Sequence, residues 1–249
     1  MPSAVAPVAT LGNQPSRGSF VALLPYIEQD NVFKAYRPNA WWGDSANQAA
    51  VNAKIPVFLC PAVPGDRLVK GFSASALDGG AAAQPNATGT PADYFLQAGW
   101  TDLSQTPISR KGIAPLGKAV RMNAITDGLS NTLCFYECGG GPEVWRAGKS
   151  AGVIGPSDSW VWASQHLRTL TSFSPDGATL YGTCAVNCAN AAVAPNAQPG
   201  AGIYGFHTGG ANVSMADGSV QFVRSSANPL VIASLVSIAD GEVVSVNDY

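Results

Sequence analysis

The C-terminal part of the chain constrains the fold most, because three short strand-like segments follow one another with glycine-containing turns between them. The segments read GIYGFH, ANVSMA and SVQFVR. The turn between the last two is Asp217-Gly218, a two-residue hairpin signal in which both positions need positive φ. In the middle segment Ala211, Val213 and Met215 point to one side, because side chains alternate along a strand. The pattern predicts a β-meander.

Helices, strands and long loops are predicted over the rest of the chain. Helices are expected at 19–36, at 45–53 with Asp44 or Ser45 as the cap, and after Asn228, which precedes Pro229 at the first helical position. Strands are expected at 55–61, 93–98, 131–137, 159–164 and 242–246. An irregular lead-in is expected at 1–18, loop insertions near 62–92 and 174–202, and mostly loop at 139–159.

The composition narrows the class of partner. Charged residues make up only 12% of the 249 residues, against roughly 25% in typical soluble domains, so the surface is expected to be covered by uncharged polar residues. The net charge is −2 and Lys and Arg form no cluster, which argues against a nucleic-acid partner. No apolar run approaches the length of about 20 residues that spans a membrane. Met1 leads into a Pro/Ala/Val segment rather than the charged start of a signal peptide.

The five cysteines predict disulfide chemistry. Cys134 and Cys138 have C-x3-C spacing, as do Cys184 and Cys188, while Cys60 stands apart. A four-thiolate zinc site is disfavoured, because the first pair lies in a predicted strand about 13 Å apart. We expect two disulfides, or one disulfide with free thiols, and favour a local Cys184–Cys188 bond. The odd count leaves one thiol free or paired outside this chain.

Six segments occur in one order along nearly the whole chain. They are LLPYIEQDNVF, IPVFLCP, ADYFLQAG, ITDGLSNTLCFYE, FHTGGANVSMADGSVQFV and DGEVVSVND. This order resembles a large planctomycete-type family of unknown function, whose C-terminal motif is His, nine residues, then Asp-Gly. Here the motif residues are His207, Asp217 and Gly218. No single segment is specific, whereas the six in order are.

The resemblance implies an α+β fold, with a pilin- or pseudopilin-like antiparallel β-sheet, N-terminal and C-terminal helices and long loop insertions. We expect residues 19–249 to form this single domain. Family members usually have a type IV pilin-like leader and a long hydrophobic helix before the exported domain, and we expect both to be absent here. A family cysteine just after that helix would be a candidate partner for Cys60. The resemblance implies a cell-surface or extracellular location and no established reaction.

His207 and Asp217 have the residue types of a catalytic pair, but their spacing argues against one. Asn212 and Asp217 are five residues apart on one strand, which corresponds to about 16 Å. His207 lies near the Asn212 end across the glycine turn, whereas Asp217 lies at the opposite turn. We therefore expect a structural histidine and a turn aspartate.

Two similar Asp-Gly turns suggest a calcium site. ITDGLSNT contains Asp127 and Asn131, and MADGSVQF contains Asp217. Their oxygens could share Ca²⁺, which takes six to eight oxygen ligands, with Asn131 or Asn212 as an amide ligand. Turn formation alone is the competing interpretation, because no D-x-D-x-D loop is present.

Acidic and aromatic residues provide a carbohydrate-active alternative. Glycoside hydrolysis needs two carboxylates, for which Glu137 and Asp127 are weak candidates. Among the six tryptophans, Trp41, Trp42 and Trp100 could stack on sugar rings, and the Trp41-Trp42 pair is expected to be the more exposed. Core packing is the competing interpretation of these rings.

The sequence therefore leaves two alternative functions. The first is an exported, pseudopilin-like structural or interaction protein of the cell surface, without established catalytic activity. Its partners would be surface or pilin-like subunits, and it would meet a membrane only through the absent N-terminal helix. The alternative is a secreted protein that binds polysaccharide or hydrolyses glycosidic bonds, with Glu137, Asp127, His207 and Asp217 as weak catalytic candidates.

Overall fold

The computed structural model describes residues 18–72, 83–102, 108–114, 120–153, 158–164, 167–191, 200–242, 244–245 and 247–249. The α-helices in these ranges are α1 (Ser19–Leu23), α2 (Asp30–Ala35), α3 (Gln48–Val51) and α4 (Pro229–Val236). The strands are β1 (Val69–Phe72), β2 (Gln84–Gly89), β3 (Tyr94–Asp102), β4 (Ile108–Lys111), β5 (Leu133–Glu137), β6 (Glu143–Arg146), β7 (Lys149–Val153), β8 (Leu167–Leu170), β9 (Gly200–Ala201), β10 (Gly210–Met215) and β11 (Val220–Arg224). Residues 1–17 of the predicted lead-in at 1–18, and residues 73–82 and 192–199 of the two predicted insertions, lie outside the described residues.

A seven-stranded mixed sheet organises the fold. Its strand order is β11-β10-β5-β3-β8-β9, and β4 also pairs with β3. The pairs β11–β10, β10–β5, β5–β3 and β3–β4 are antiparallel, whereas β3–β8 and β8–β9 are parallel. Two further hairpins are β1–β2 and β6–β7. The chain thus combines mainly antiparallel sheets with few helices, and among its described helices none has the length and hydropathy of a membrane span.

Aromatic rings connect the N-terminal helices to the sheets. Phe20 of α1 stacks on Phe58, with ring centroids 4.4 Å apart. Trp42 packs 4.8 Å from Phe72 of β1. These rings belong to one apolar cluster that extends into the main sheet through Phe95 of β3. Burial of such large apolar surfaces is the main favourable term for holding separate elements together.

The predicted helix at 19–36 is divided in two. A 3₁₀ turn, Leu24–Ile27, separates α1 from α2, and Glu28 then adopts a left-handed φ of 60°. Pro25 lies in this turn and has no N–H to donate to the carbonyl four residues earlier. The apolar periodicity predicted one continuous helix, because periodicity depends only on which side chains are apolar. It does not reflect the backbone hydrogen bond that Pro25 cannot make.

The predicted strands at 55–61 and 159–164 are wrong. The first range contains the 3₁₀ turn Pro56–Phe58, and the second begins within the 3₁₀ turn Asp158–Trp160. Short apolar runs do not distinguish a buried strand from a buried turn. Pro56 also lacks the N–H that a central strand would donate.

Two predicted loops contain hairpins. β1–β2 lies within the predicted loop at 62–92, and β6–β7 lies within 139–159. The β6–β7 turn is formed by Ala147 and Gly148, whose φ values of 44° and 80° match the twist of the flanking strands. The predicted strand at 242–246 does not form at its described residues.

The C-terminal strands pair differently from the predicted meander. β10 and β11 form the predicted hairpin, and Ala211, Val213 and Met215 are buried as expected. The other neighbour of β10 is β5, not residues 202–207, which contribute isolated bridges. This long-range pairing places the end of β5 beside the start of β10.

The β10–β11 turn needs one left-handed residue, not the two predicted. Gly218 has a φ of 90°, whereas Asp217 is not among the described non-glycine residues with positive φ. Gly218 N–H donates to the Met215 carbonyl at 3.0 Å, and Met215 N–H donates to the Ser219 carbonyl at 2.8 Å. The loop is therefore a three-residue type with glycine in the bulge position.

The start of α4 provides a test of helix capping. The Asn228 side-chain oxygen accepts a hydrogen bond from Leu230 N–H at 2.9 Å, and Pro229 is the first helical residue. Asn228→Ala should lower the free energy of unfolding by about 1 kcal/mol, because one helical N–H loses its partner. Asn228→Asp, which preserves an acceptor, should retain most of the stability. Urea unfolding followed by circular dichroism measures both, and equal losses would contradict the capping role.

Candidate functional site

The tryptophans predicted to stack on sugars are buried. Trp41, Trp42 and Trp100 are only 7%, 0% and 1% exposed, so the expected exposure of this group is wrong. Trp41 and Trp42 pack on each other and on Phe72. The close approach depends on Gly43, where an added Cβ would lie 2.6 Å from the Trp41 ring and 2.8 Å from Phe72. Their ring faces are therefore covered by core packing.

The residues predicted to bind calcium lie in two turns. The Asp127 carboxylate accepts hydrogen bonds from Ser237 Oγ at 2.9 Å and from two backbone N–H groups that follow α4, at 3.0 and 2.9 Å. Asn131 Nδ2 donates to the Asp127 carbonyl at 3.3 Å. Asp217 Oδ1 accepts from the N–H and hydroxyl of Ser219 at 2.9 and 2.7 Å. Both carboxylates thus have protein donors, and calcium binding here stays a prediction.

His207 and Asp217 lie near opposite ends of β10. His207 forms an isolated bridge with Gly210, the first residue of β10, whereas Asp217 lies in the turn that follows the strand. His207 Nε2 instead lies 3.1 Å from Glu137 Oε1, at the end of β5. The structure therefore brings His207 to Glu137, a pairing that the spacing of the C-terminal motif does not contain.

The cysteines form one bonded pair and three thiols. Cys184 and Cys188 lie at disulfide-bonding distance, the pair favoured from the spacing. Cys60, Cys134 and Cys138 are free. Burial raises the pKa of the Cys134 thiol to about 11 and that of the Cys138 thiol to about 12. These two thiols therefore stay protonated at neutral pH.

A cluster of three different metal-ligating side chains forms where distant segments meet. Cys60 follows the 3₁₀ turn Pro56–Phe58, Glu137 ends β5, and His207 precedes β10. Cys60 Sγ lies 3.4 Å from His207 Nε2, and the ligand atoms of all three residues lie within 4.8 Å of one another. We call this the Cys60–Glu137–His207 cluster. Among the described residues, no other group of three or more His, Cys, Asp or Glu side chains meets this spacing.

Glu137 is the most buried member of the cluster. Glu137 is only 1% exposed, and its Oε2 accepts a hydrogen bond from the Asn212 backbone N–H at 2.7 Å. The Asn212 side-chain amide lies 3.3 Å from Oε1. A Cβ at Gly205 would stand 2.8 Å from Oε2, so glycine leaves the room that this carboxylate occupies. The antiparallel pairing of β5 with β10 places Asn212 beside the Glu137 carboxylate.

Hydrogen bonds position both the backbone and the sulfur atom of Cys60. Its N–H donates to Asp93 Oδ2 at 2.9 Å, and the Ala62 N–H donates to its sulfur. Burial raises the pKa of the Cys60 thiol to about 11, and the Glu137 and Asp93 carboxylates add to the increase. The Tyr94 hydroxyl contacts this sulfur, and burial raises the pKa of Tyr94 above its usual value. The free thiol is therefore protonated at neutral pH.

A buried ion pair supports the cluster. Arg67 donates to both oxygens of Asp93 at 2.7 Å and to the Gly141 carbonyl at 2.9 Å. The Asp93 side chain is fully buried and the Arg67 side chain is 14% exposed. Asp93 also accepts N–H groups from Cys60 and Gly140. One carboxylate thus joins the segment around Cys60, the start of β3 and the loop after β5.

A cavity of about 530 Å³ opens beside Cys60. Its lining includes Cys60, Arg67 and Thr90, and also Lys54 and Asp66, which form an exposed ion pair. Glu137 and His207 are not among the lining residues, so the cavity borders the cluster at Cys60. A small molecule in this cavity would meet the cysteine segment and the Arg67 side chain.

Thiol, carboxylate and imidazole groups at this spacing can exchange protons or bind a transition metal ion. Sequence reasoning named Glu137 and His207 as separate weak candidates and assigned no site role to Cys60. Of the three residues only Glu137 ends a strand of the structure, while Cys60 and His207 lie in irregular segments. These segments are far apart in the sequence, so no local pattern predicts that they meet.

Loss of the buried guanidinium should destabilise the protein strongly. Arg67→Met leaves the Asp93 carboxylate buried without its counter-charge, and we expect a loss of about 3 to 5 kcal/mol in the free energy of unfolding. The matched control is Lys54→Met, which removes a solvent-exposed pair and should change stability little. Chemical denaturation compares the two variants, and similar losses for both would contradict a special role of the buried pair.

The buried thiols should react slowly in the folded protein. At pH 8 a thiol with the ordinary pKa of 9.0 is about one-tenth ionised, whereas a pKa of about 11 leaves about one thiol in a thousand as thiolate. Alkylation of Cys134 by iodoacetamide should therefore be about 100-fold slower in the native chain than in urea, and should accelerate as pH rises toward 11. Peptide mass spectrometry measures the rates, and equal rates in both states would contradict the raised pKa of this half-buried thiol.

Comparison with known proteins places the chain in a family. The family model described as "Protein of unknown function (DUF1559)" matches residues 2–230, a range that includes all three cluster residues. No curated protein and no solved structure matches the chain. The chain therefore belongs to the DUF1559 family, whose function is unknown.

Proposed function

We propose that this chain is the exported, pseudopilin-like body of a cell-surface protein with a structural or interaction role. The observation that carries the proposal is the Cys184–Cys188 pair at disulfide-bonding distance. Disulfides persist in oxidising environments such as the periplasm and cell surface, and they are rare in the cytosol. An exported location accounts for a bond of this kind.

The contacts around this pair are those of a structural cross-link. Cys184 exchanges two backbone hydrogen bonds with Phe173, at 2.7 and 2.9 Å, and Cys188 accepts the Ala147 N–H at 2.9 Å. These hydrogen bonds attach the segment to the β6–β7 turn and to the chain after β8, and the Cys184–Cys188 bond closes a local loop within that segment. A loop with little regular structure gains stability from such a link, because the unfolded chain is constrained.

The edge of the main sheet supports an interaction role. β11 is the last strand of the sheet order, and it exposes Val220 and Phe222 at 66% and 44%. An edge strand presents unpaired backbone groups on which another strand can pair. The partner we propose is another surface or pilin-like subunit, which would cover this edge.

The carbohydrate-active alternative has less support. Its stacking tryptophans are buried, and its candidate carboxylates Asp127 and Asp217 are occupied by backbone and hydroxyl donors. Glu137 remains as a buried acid, but it is engaged by Asn212 and His207. If the chain were an enzyme, it would be a hydrolase acting on glycans.

Export can be tested in cells that carry the natural gene. We expect a membrane-impermeant biotin reagent to label the protein on intact cells, because the proposal places it at the surface. Peptide mass spectrometry without reductant should recover the Cys184–Cys188 linked peptide. Recovery of the protein in the cytosol with all five thiols reduced would contradict the proposal.

The alternatives have their own measurements. A glycan array and a hydrolysis screen across common polysaccharides should show neither binding nor turnover; specific binding would favour the carbohydrate-active alternative instead. The calcium hypothesis at Asp127, Asn131 and Asp217 requires a melting temperature that falls on addition of a chelator. An unchanged melting temperature would exclude the calcium hypothesis.

A further inference from the structure

The Cys60–Glu137–His207 cluster has nearly the spacing of ligands around one tetrahedral ion. His207 Nε2 lies 3.4 Å from Cys60 Sγ and 3.1 Å from Glu137 Oε1. Zinc bonds of about 2.0 Å to nitrogen or oxygen and about 2.3 Å to sulfur place tetrahedral nitrogen and oxygen ligands about 3.3 Å apart, and nitrogen and sulfur ligands about 3.5 Å apart. The two separations from His207 Nε2 are therefore close to those of a zinc site, and the Cys60 and Glu137 ligand atoms lie within 4.8 Å of each other.

His207 Nε2 is within reach of two potential ligands at once. An imidazole nitrogen carries either one proton or one lone pair, so Nε2 directs one strong interaction. A hydrogen bond to Glu137 Oε1 at 3.1 Å uses that interaction and leaves Cys60 Sγ as a second close neighbour at 3.4 Å. A cation between the three atoms would instead receive a lone pair from each.

Charge balance also favours a cation. Glu137 is almost fully buried, and among the described residues the basic side chain beside its carboxylate is His207, at 3.1 Å. Arg67, the nearby guanidinium, is already paired with Asp93. A thiolate, a carboxylate and a neutral imidazole around one divalent cation sum to zero net charge, which lowers the cost of burying the carboxylate.

Outer contacts hold the ligands in place. Asn212 donates its backbone N–H to Glu137 Oε2, and Ala62 donates its N–H to the Cys60 sulfur. Hydrogen bonds of this kind orient metal ligands and tune their affinity. The Cys60 backbone is fixed in addition by Asp93, so the thiol position does not depend on the metal.

We propose that Cys60, Glu137 and His207 bind one Zn²⁺ ion through Sγ, Oε1 and Nε2. The mixed sulfur, nitrogen and oxygen set suits zinc, whereas calcium and magnesium prefer oxygen ligands alone. Binding displaces the thiol proton to solvent and forms three metal–ligand bonds. Three protein ligands leave a fourth tetrahedral position for water or an external ligand. The His207 side chain is 31% exposed, which gives the ion a route from solvent.

Titration with Zn²⁺ alone tests the site on the chelator-treated, full chain. Isothermal calorimetry should show one equivalent bound and a raised melting temperature, because binding stabilises the folded state. Co²⁺ as a probe should produce a thiolate-to-cobalt charge-transfer band. Cys60→Ser and His207→Gln should each raise the Kd for Zn²⁺ more than about 100-fold, beyond the usual effect of an outer-shell change.

Cys134→Ser is the matched control, because it removes a free thiol of β5 that is not a member of the cluster. It should leave the Kd and the cobalt spectrum unchanged. The proposal would be overturned if the unsubstituted chain did not bind zinc, or if Cys60→Ser bound zinc with the same Kd. The contact between His207 and Glu137 would then be a hydrogen bond without a metal. If a ligand variant does not fold, the cobalt spectrum of the unsubstituted chain decides, and a spectrum without a thiolate band would overturn the proposal.

Discussion

The buried ion pair between Arg67 and Asp93 is the contact on which the structure around the site depends. A carboxylate with no solvent exposure is costly unless a counter-charge and hydrogen bonds compensate it, and Asp93 has both. It accepts four hydrogen bonds from three residues, two from Arg67 and one each from the backbone N–H groups of Cys60 and Gly140. Because the segments around these residues have little regular structure, this polar centre replaces the backbone ladder that would otherwise align them.

The position of the Cys60–Glu137–His207 cluster follows from that centre and from the strand order. Asp93 fixes the backbone of Cys60, while the neighbouring strand β5 places Glu137 at the same end of the sheet. The adjacent strand β10 then brings His207 and Asn212 to Glu137. A zinc ion here would neutralise the buried carboxylate, and it would link the sheet to the N-terminal region near the cavity.

Local patterns were informative where local forces decide the structure. Strands at 93–98 and 131–137 were predicted, because side-chain composition and alternation reflect half-buried pleated surfaces. The Asn228 cap was predicted because a cap needs one side chain and its own following N–H groups. The prediction failed at 55–61, where an apolar run with Pro56 packs as a turn, since burial alone does not specify backbone conformation.

The sequence by itself determined the β10–β11 hairpin with its buried Ala211, Val213 and Met215, because turn residues and alternation act over a few residues. It also indicated a family of unknown function, and the family model that matches residues 2–230 confirms this. Only the tertiary structure decided which strand lies beside β10. His207 meets residues that are 70 and 147 positions away, and contacts of such separation depend on packing and on the entropy of closing long loops. His207 thus acquires its chemical partners from the sheet topology and not from its neighbours in the sequence.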